Sequence, residues 1–185
     1  MKDVLTGTLV RLSAFDPEEM SKAFARWHRN SEYQRLLNAS ARRLLSSKAE
    51  LKWMEEEVSE MSPGGYFFSI RTLEKDTLIG EIGLDVVNWP GRDAFVGLGI
   101  GETDYWSKGY GTDAMNVLLR FAFTEINLKR ITLTVFEYNP RAIRSYEKVG
   151  FRHEGRKRLL LNREGRRWDE LYMGILREEW LEHNS

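Results

Sequence analysis

The chain contains no cysteine in its 185 residues, which excludes disulfides, thiolate zinc sites and a cysteine nucleophile, and fits a reducing compartment. It has no charge excess either. Lys and Arg number 28 against 28 Asp and Glu, so there is no sequence-wide attraction for the phosphates of DNA or RNA, and nucleic acid is not an expected partner. Histidine is scarce: His28, His153 and His183 are scattered, with no H-x-x-x-H spacing, and no metal site is expected. No run approaches the ~20 apolar residues of a membrane span, and the opening MKDVLTGTLVRL is too short and too polar for a signal segment. No membrane partner is expected, and the expected location is cytoplasmic. The G-x-S-x-G elbow of serine hydrolases is missing as well. What is present is ordinary for a folded protein: 42% hydrophobic and 12% aromatic residues, in a chain long enough for one domain, 1–185.

Periodicity sets the order of elements. Leu9, Val10 and Leu12 form a short strand, and Asp16-Pro17 is a helix start, with Met20, Phe24 and Trp27 on one face. After a more polar stretch, Ser47 and Glu50 have capping-box spacing before Leu51, Met54, Val58 and Met61, a second helix ended by Ser62-Pro63-Gly64-Gly65. The period then shortens to that of strands at Tyr66–Arg71, Leu78–Val87 and Ala94–Ile100, which predicts an antiparallel meander. A helix follows with Ala114, Val117, Leu118, Phe121, Ala122 and Ile126 as its stripe, then the strand RITLTVF, parallel to its predecessor because a helix intervenes. The segment NPRAIRSYEKVGF reads as a helix with Asn139 as N-cap, Pro140 in the first position and Gly150 in the C-terminal left-handed place. Leu159–Leu161 and Trp168–Ile175 close the chain as a hairpin about Asn162-Arg163-Glu164-Gly165. The sum is a mixed α/β (α+β) fold in the order β-α-α-β-β-β-α-β-α-β-β.

One feature points to a ligand. In YWSKGYGTDAMNVLLRFAF, residues 105–123, a glycine-rich turn opens a helix; glycines let N–H groups converge, and the helix N-terminus adds partial positive charge, so an anion such as phosphate suits it. The nucleotide P-loop spacing is absent. Gly97, Gly99 and Gly101 lie inside a strand and lack the step of the dinucleotide fingerprint. Two glycines can also serve only to turn the chain. Lys108 beside them, and Asn139 and Tyr146 in the next capped helix, weigh toward a site.

YWSKGYGTDA followed by NPRAIRSYEKVGFRHEG resembles the GNAT acyl-CoA N-acetyltransferases, specifically their RimJ/RimL-like branch, over most of the chain. The resemblance implies a central, mostly antiparallel mixed sheet with helices on both faces. It implies acetyl-CoA as co-substrate, its pyrophosphate held by Lys108, Gly109, Tyr110, Gly111 and Thr112, its pantetheine arm beside Leu98, Gly99 and Ile100 and bonded by Asn139, and Arg144 and Lys148 near a phosphate. The family pattern Q/R-x-x-G-x-G/A is met at Gly109 and Gly111, with Trp106 in its first position. A homodimer is a further family expectation.

The chemistry then needs three groups. An amine with a pKa of about 10.4 is mostly protonated at neutral pH, so its proton must be accepted. Many relatives place a Glu where this chain has Phe95; Glu81, or Asp85, on the adjacent strand is the substitute, although each also reads as an outward polar residue. Backbone N–H groups near Leu98 to Ile100 suit the oxyanion. Tyr146 matches the family's general acid for the departing sulfur, and also reads as a core aromatic beside Ala142, Ile143 and Val149. The acceptor wall falls to the first two helices and the final hairpin. Arg26 to Arg43 carries several arginines against one glutamate, which favours a protein N-terminus or a neutral or acidic small amine over a polyamine. A coenzyme sensor without catalysis is the alternative raised by Phe95; an arginine-rich nucleic-acid module ranks last.

Overall fold

The computed structural model describes residues 3–41, 44–59 and 63–184. The strands are β1 (Val10–Ala14), β2 (Gly65–Thr72), β3 (Leu78–Asn88), β4 (Asp93–Ile100), β5 (Arg130–Phe136), β6 (Arg152–Arg163) and β7 (Arg166–Leu176). The helices are α1 (Pro17–Trp27), α2 (Ser31–Leu37), α3 (Ser47–Ser59), α4 (Tyr110–Thr124), α5 (Pro140–Val149) and α6 (Arg177–His183). The strands form one sheet in the order β1-β2-β3-β4-β5-β7-β6. Every neighbouring pair is antiparallel except β4 and β5, which are parallel across the α4 crossover, as the sequence predicts. Among the described residues no helix is long and apolar enough to cross a membrane.

The helix ends follow from their residues. Asp16 Oδ1 accepts from the N–H groups of Glu18 and Glu19, and Pro17 stands where its missing donor costs nothing. Asn139 Oδ1 accepts from Ala142 N at 3.1 Å, and Gly150, at φ +107°, turns the chain so that Phe151 N reaches Tyr146 O. At α3 the expectation needs correction. Its cap is Ser46, whose Oγ accepts from Ala49 N, and Glu50 is buried against His28, 2.8 Å from Nδ1. The predicted end of that helix at Met61 and Ser62 lies outside the described residues, as do the Val58 side chain and Arg42 and Arg43.

Three further elements depart from the sequence reading. The polar stretch holds α2, nucleated by Asn30, whose Oδ1 caps Glu32 and Tyr33; with one buried residue in seven it carries no apolar stripe to read. The strand β6 begins at Arg152, not Leu159, because an edge strand with exposed side chains shows no alternation. Its bulge between Lys157 and Leu161 is tied down by buried Asp169, which accepts from Leu159 N and Arg156. The hairpin turn itself, with Glu164 at φ +54° and Gly165 at φ +70°, is the two-residue type its sequence suggests. Finally α6 seats Trp180 against Phe123, ring centroids 5.5 Å apart.

Two layers of core bracket the sheet. On one face Ile82, Leu84, Val96, Ile131, Leu133 and Val135 pack against the Ala114, Leu118 and Ala122 stripe of α4 and the inner face of α5. On the other, Met20, Phe24, Trp27, Tyr33 and Met54 join α1, α2 and α3. Asp113 of α4 fixes β1 from below, accepting from the N–H groups of Thr8, Leu9 and Val10 and from the Thr8 hydroxyl.

Candidate active site

The sheet opens at its single parallel joint. Asp93, Ala94 and Phe95 of β4 pair with Arg130, Ile131 and Thr132 of β5, and beyond Phe95 the two strands have no further register while β4 stays paired to β3 as far as Ile100. Between them lies a cavity of about 580 Å³. Its walls include Leu98, Gly99 and Ile100 from β4, Gly109, Tyr110, Gly111 and Thr112 at the start of α4, and Asn139, Arg144, Tyr146 and Lys148 of α5. Eleven of the residues singled out from sequence therefore converge on one space.

The turn has the geometry its glycines suggest. Ser107 (φ +58°) and Gly109 (φ +89°) both take left-handed backbone conformations, and Gly109 caps α4 without a side-chain acceptor. The first N–H groups of a helix have no partner within it, so this end of α4 offers donors and partial positive charge to the cavity. A Cβ at Gly111 would meet Leu98 and Ile100 only at ordinary contact distance, so its gain is an uncovered backbone rather than a required conformation. Trp106 replaces the polar residue of the family pattern with a different fastening. Its Nε1 donates to Ile100 O at 2.7 Å, and the Arg141 guanidinium lies 3.8 Å above its ring. Thr112 Oγ1 and Ser145 Oγ, 2.7 Å apart, tie α4 to α5.

Two predicted residues stand elsewhere. Lys108 is not part of the cavity wall; Arg141, which the sequence did not single out, joins Arg144 and Lys148 as the cations that are. Burial lowers the Arg141 pKa, opposed by the Glu32 carboxylate. Glu81 is also outside the wall. It sits beside Gly99, behind Tyr33: a Cβ built on Gly99 would lie 2.8 Å from the Tyr33 hydroxyl and 3.5 Å from Glu81 Oε1. Phe95, in the position of the expected carboxylate, does face the cavity.

Tyr146 is buried on α5, its ring against Phe151, and burial pushes its phenol up to about 12. The phenol is therefore protonated throughout the neutral range. In that form its hydroxyl has a proton to donate.

Directly paired residues share a sheet face, which sorts the cavity into two ends. Glu81 pairs with Gly99, Phe95 with Thr132, and Phe136 with Glu170, so Gly97, Gly99, Thr134, Phe136 and Glu170 all face the α1–α3 side, opposite α4 and α5. This end is walled by Tyr33, Leu36, Leu37, Asn38 and Ala39, inside the Arg26 to Arg43 segment weighed from sequence for the acceptor, and by Glu170 of the final hairpin, although none of these residues was singled out individually there. Glycine makes the floor: a Cβ at Gly97 would enter open space, whereas at Gly101 it would strike the Trp27 ring at 2.0 Å. Arg163 of the final hairpin holds the roof in place, donating to the carbonyl oxygens of Arg35, Asn38 and Ala39 at the end of α2 and to Tyr138 Oη. Among the described residues no group of three His, Asp or Glu is arranged to hold a metal.

Known proteins share this architecture. A spermidine N-acetyltransferase from Vibrio cholerae, in complex with CoA and spermine, superposes with a TM-score of 0.79 over 93% of this chain and 98% of its own, at 24% identity. A GNAT-family acetyltransferase from Bacillus anthracis gives 0.76 over 94% and 98%, at 21% identity. At these identities the likeness is one of fold. In sequence, the uncharacterized N-acetyltransferase YnaD of Bacillus subtilis (strain 168) is 32% identical over 113 residues, 61% of this chain and 65% of its own length, so the match spans just under two thirds of that relative. The Acetyltransferase (GNAT) domain profile matches residues 10–152, from the first residue of β1 to the first of β6, and with that match the chain belongs to the GNAT acetyltransferase family.

Proposed function

We propose that the protein is an acetyl-CoA-dependent N-acetyltransferase that moves acetyl directly to a primary amine, and that it belongs with the RimJ/RimL-like enzymes. The observation that carries this reading is the wedge between β4 and β5. One continuous cavity joins the uncovered start of α4, an unpaired stretch of β4, and the buried phenol of Tyr146.

The residues present fit a CoA-type group. Helix N-termini and nests hold phosphate oxygens, and Gly109 to Thr112 supply both. Arg144 and Lys148, with Arg141, add cations on the adjacent helix. The β4 backbone from Val96 to Ile100 offers N–H and C=O groups to an extended amide-bearing arm, as a strand edge does to a peptide, and Asn139 is in the wall although its Oδ1 already caps α5. A backbone N–H in that same stretch is placed for the oxyanion.

Tyr146 serves as donor to the departing sulfur. At about 12 its phenol is a weaker acid than a thiol near 8.5, so its part is a hydrogen bond that stabilises the developing thiolate, with the final proton coming from the amine. Glu81 accepts a different proton, the one the ammonium loses to become a nucleophile, relayed past Tyr33 or by water, since Glu81 is outside the cavity wall; the proton that reaches the sulfur is the second, lost by the nitrogen after it has attacked. The test is thermal unfolding with acetyl-CoA and CoA against NAD and ATP, followed by thiol release across a panel of amines. A ligand at 100 times its Kd adds about 2.7 kcal/mol, which raises the midpoint by several degrees. No shift with either CoA compound at saturation would refute the reading.

A further inference from the structure

The cavity wall has an uneven distribution of charge. Its three cations, Arg141, Arg144 and Lys148, are all on α5, and its one carboxylate among the described residues is Glu170 on β7. The register places Glu170 across from Phe136, on the sheet face shared with Gly97 and Gly99 and opposite α4 and α5. Arg144 and Lys148 thus belong to the end assigned above to the co-substrate and the carboxylate to the end walled by α2, while Arg141, stacked on Trp106 and facing Glu32 of α2, stands at the border between them. The rest of this end is mostly apolar or aromatic, with Tyr33, Leu36, Leu37, Phe95 and Phe136, and its polar members Asn38 and Thr134 are neutral. The carboxylate is half-buried, and its charge raises the pKa of the Tyr172 phenol two residues along the strand.

We propose that Glu170 docks the cationic amine of the acceptor, and that the acceptor is a monocation with an apolar or aromatic body. This rests on the reading of the wedge as the acetyl-transfer site. A single carboxylate neutralises a single ammonium; the remaining charges of a polyamine have no second carboxylate to meet in the wall, only neutral side chains such as Phe95, Leu36, Tyr33, Asn38 and Thr134, and burying an unpaired charge there is unfavourable. Beyond the wall, Arg163 flanks the same end of α2, adding positive charge that opposes a polycation, while Arg35 is paired with Glu164. The aromatic walls suit the body of an arylalkylamine or a hydrophobic N-terminal residue, which gains by leaving water.

The experiment is steady-state acetylation of phenethylamine, hexylamine and spermidine by the wild-type protein, Glu170→Gln and Glu170→Asp, with the acetyl-CoA thermal shift measured on each. Wild type is expected to prefer the two monoamines to spermidine by tenfold or more in kcat/KM. Glu170→Gln, nearly isosteric, is expected to raise the monoamine KM by roughly tenfold to a hundredfold, the range for a lost hydrogen bond to a charged group, with kcat little changed. Glu170→Asp recovers part of that loss, and all three proteins keep the same acetyl-CoA shift. Turnover by wild type with an unaltered KM in Glu170→Gln, or a preference for spermidine, overturns this inference and leaves the acetyltransferase reading intact. No turnover of any amine, with no acetyl-CoA shift, overturns both.

Discussion

Replacing Tyr146 by Phe removes one oxygen from a buried ring and leaves its packing on Phe151 in place. Two consequences follow from the same burial. For catalysis, losing one preorganised hydrogen-bond donor to a developing anion costs about 10²–10³-fold, so kcat is expected to fall by that factor while the acetyl-CoA thermal shift is preserved. For stability, the phenol is pushed to about 12 in the folded protein against about 10 in the unfolded chain. Between those values the native state holds a proton that the unfolded state has released, so stability present below pH 10 is lost as pH rises toward 12. The slope is about 1.4 kcal/mol per pH unit, or about 3 kcal/mol across the window. Other tyrosines and the lysines titrate in the same range, so the measurement is the difference between wild type and Tyr146→Phe in urea unfolding at pH 9.5, 10.5 and 11.5, in parallel with thiol-release assays at pH 8. The variant should become the relatively more stable protein as pH rises. A kcat within threefold of wild type would remove Tyr146 from the chemistry, and parallel pH dependences of stability would show that burial does not hold the phenol neutral.

Two other substitutions test the scaffold. Gly99→Ala drives a methyl group to within 2.8 Å of the Tyr33 hydroxyl and should impair amine turnover by tenfold or more while sparing the acetyl-CoA thermal shift; equal loss of both would place Gly99 on the co-substrate side alone. Asp113→Asn keeps the shape but weakens charge-assisted acceptance from Thr8, Leu9 and Val10, and should cost about 2–3 kcal/mol and lower the melting midpoint by roughly 4–12 °C; a change under a degree would mean that β1 is held by its β2 pairing alone.

Local chemistry carried the elements that sequence reveals. Asp16-Pro17 and Asn139-Pro140 announce α1 and α5 because their caps depend on residues within three positions, and the meander from β2 to β4 shows its alternation openly. Glu50 shows the limit of such reasoning: its spacing from Ser47 fits a capping box, but a buried partner 22 residues away, His28, takes its carboxylate. The site divides in the same manner. The residues assigned to the co-substrate lie in two contiguous stretches, 98–112 and 139–148, each with its own turn and cap, and all but Lys108 of the eleven cofactor residues chosen meet in the cavity. The end assigned to the acceptor is assembled from α2, the tip of β5 and β7, which meet through sheet register and the bonds of Arg163. The sequence points to the Arg26 to Arg43 segment and the final hairpin, but no spacing within the chain encodes which of their residues meet, so Tyr33, Glu170 and the roof of Leu36 to Ala39 emerge individually only with the fold.

The parallel joint between β4 and β5 has a mechanical consequence. It divides the sheet into β1 to β4 on one side and β5, β7 and β6 on the other, joined edge to edge only near Phe95 and Thr132. The seam is the line along which the two halves can breathe, and amides of Val96 to Ile100 aimed into the gap lack the strand that protects their counterparts elsewhere. An extended ligand arm laid along β4 would act as a temporary eighth strand. Hydrogen exchange in that stretch should therefore slow when it binds.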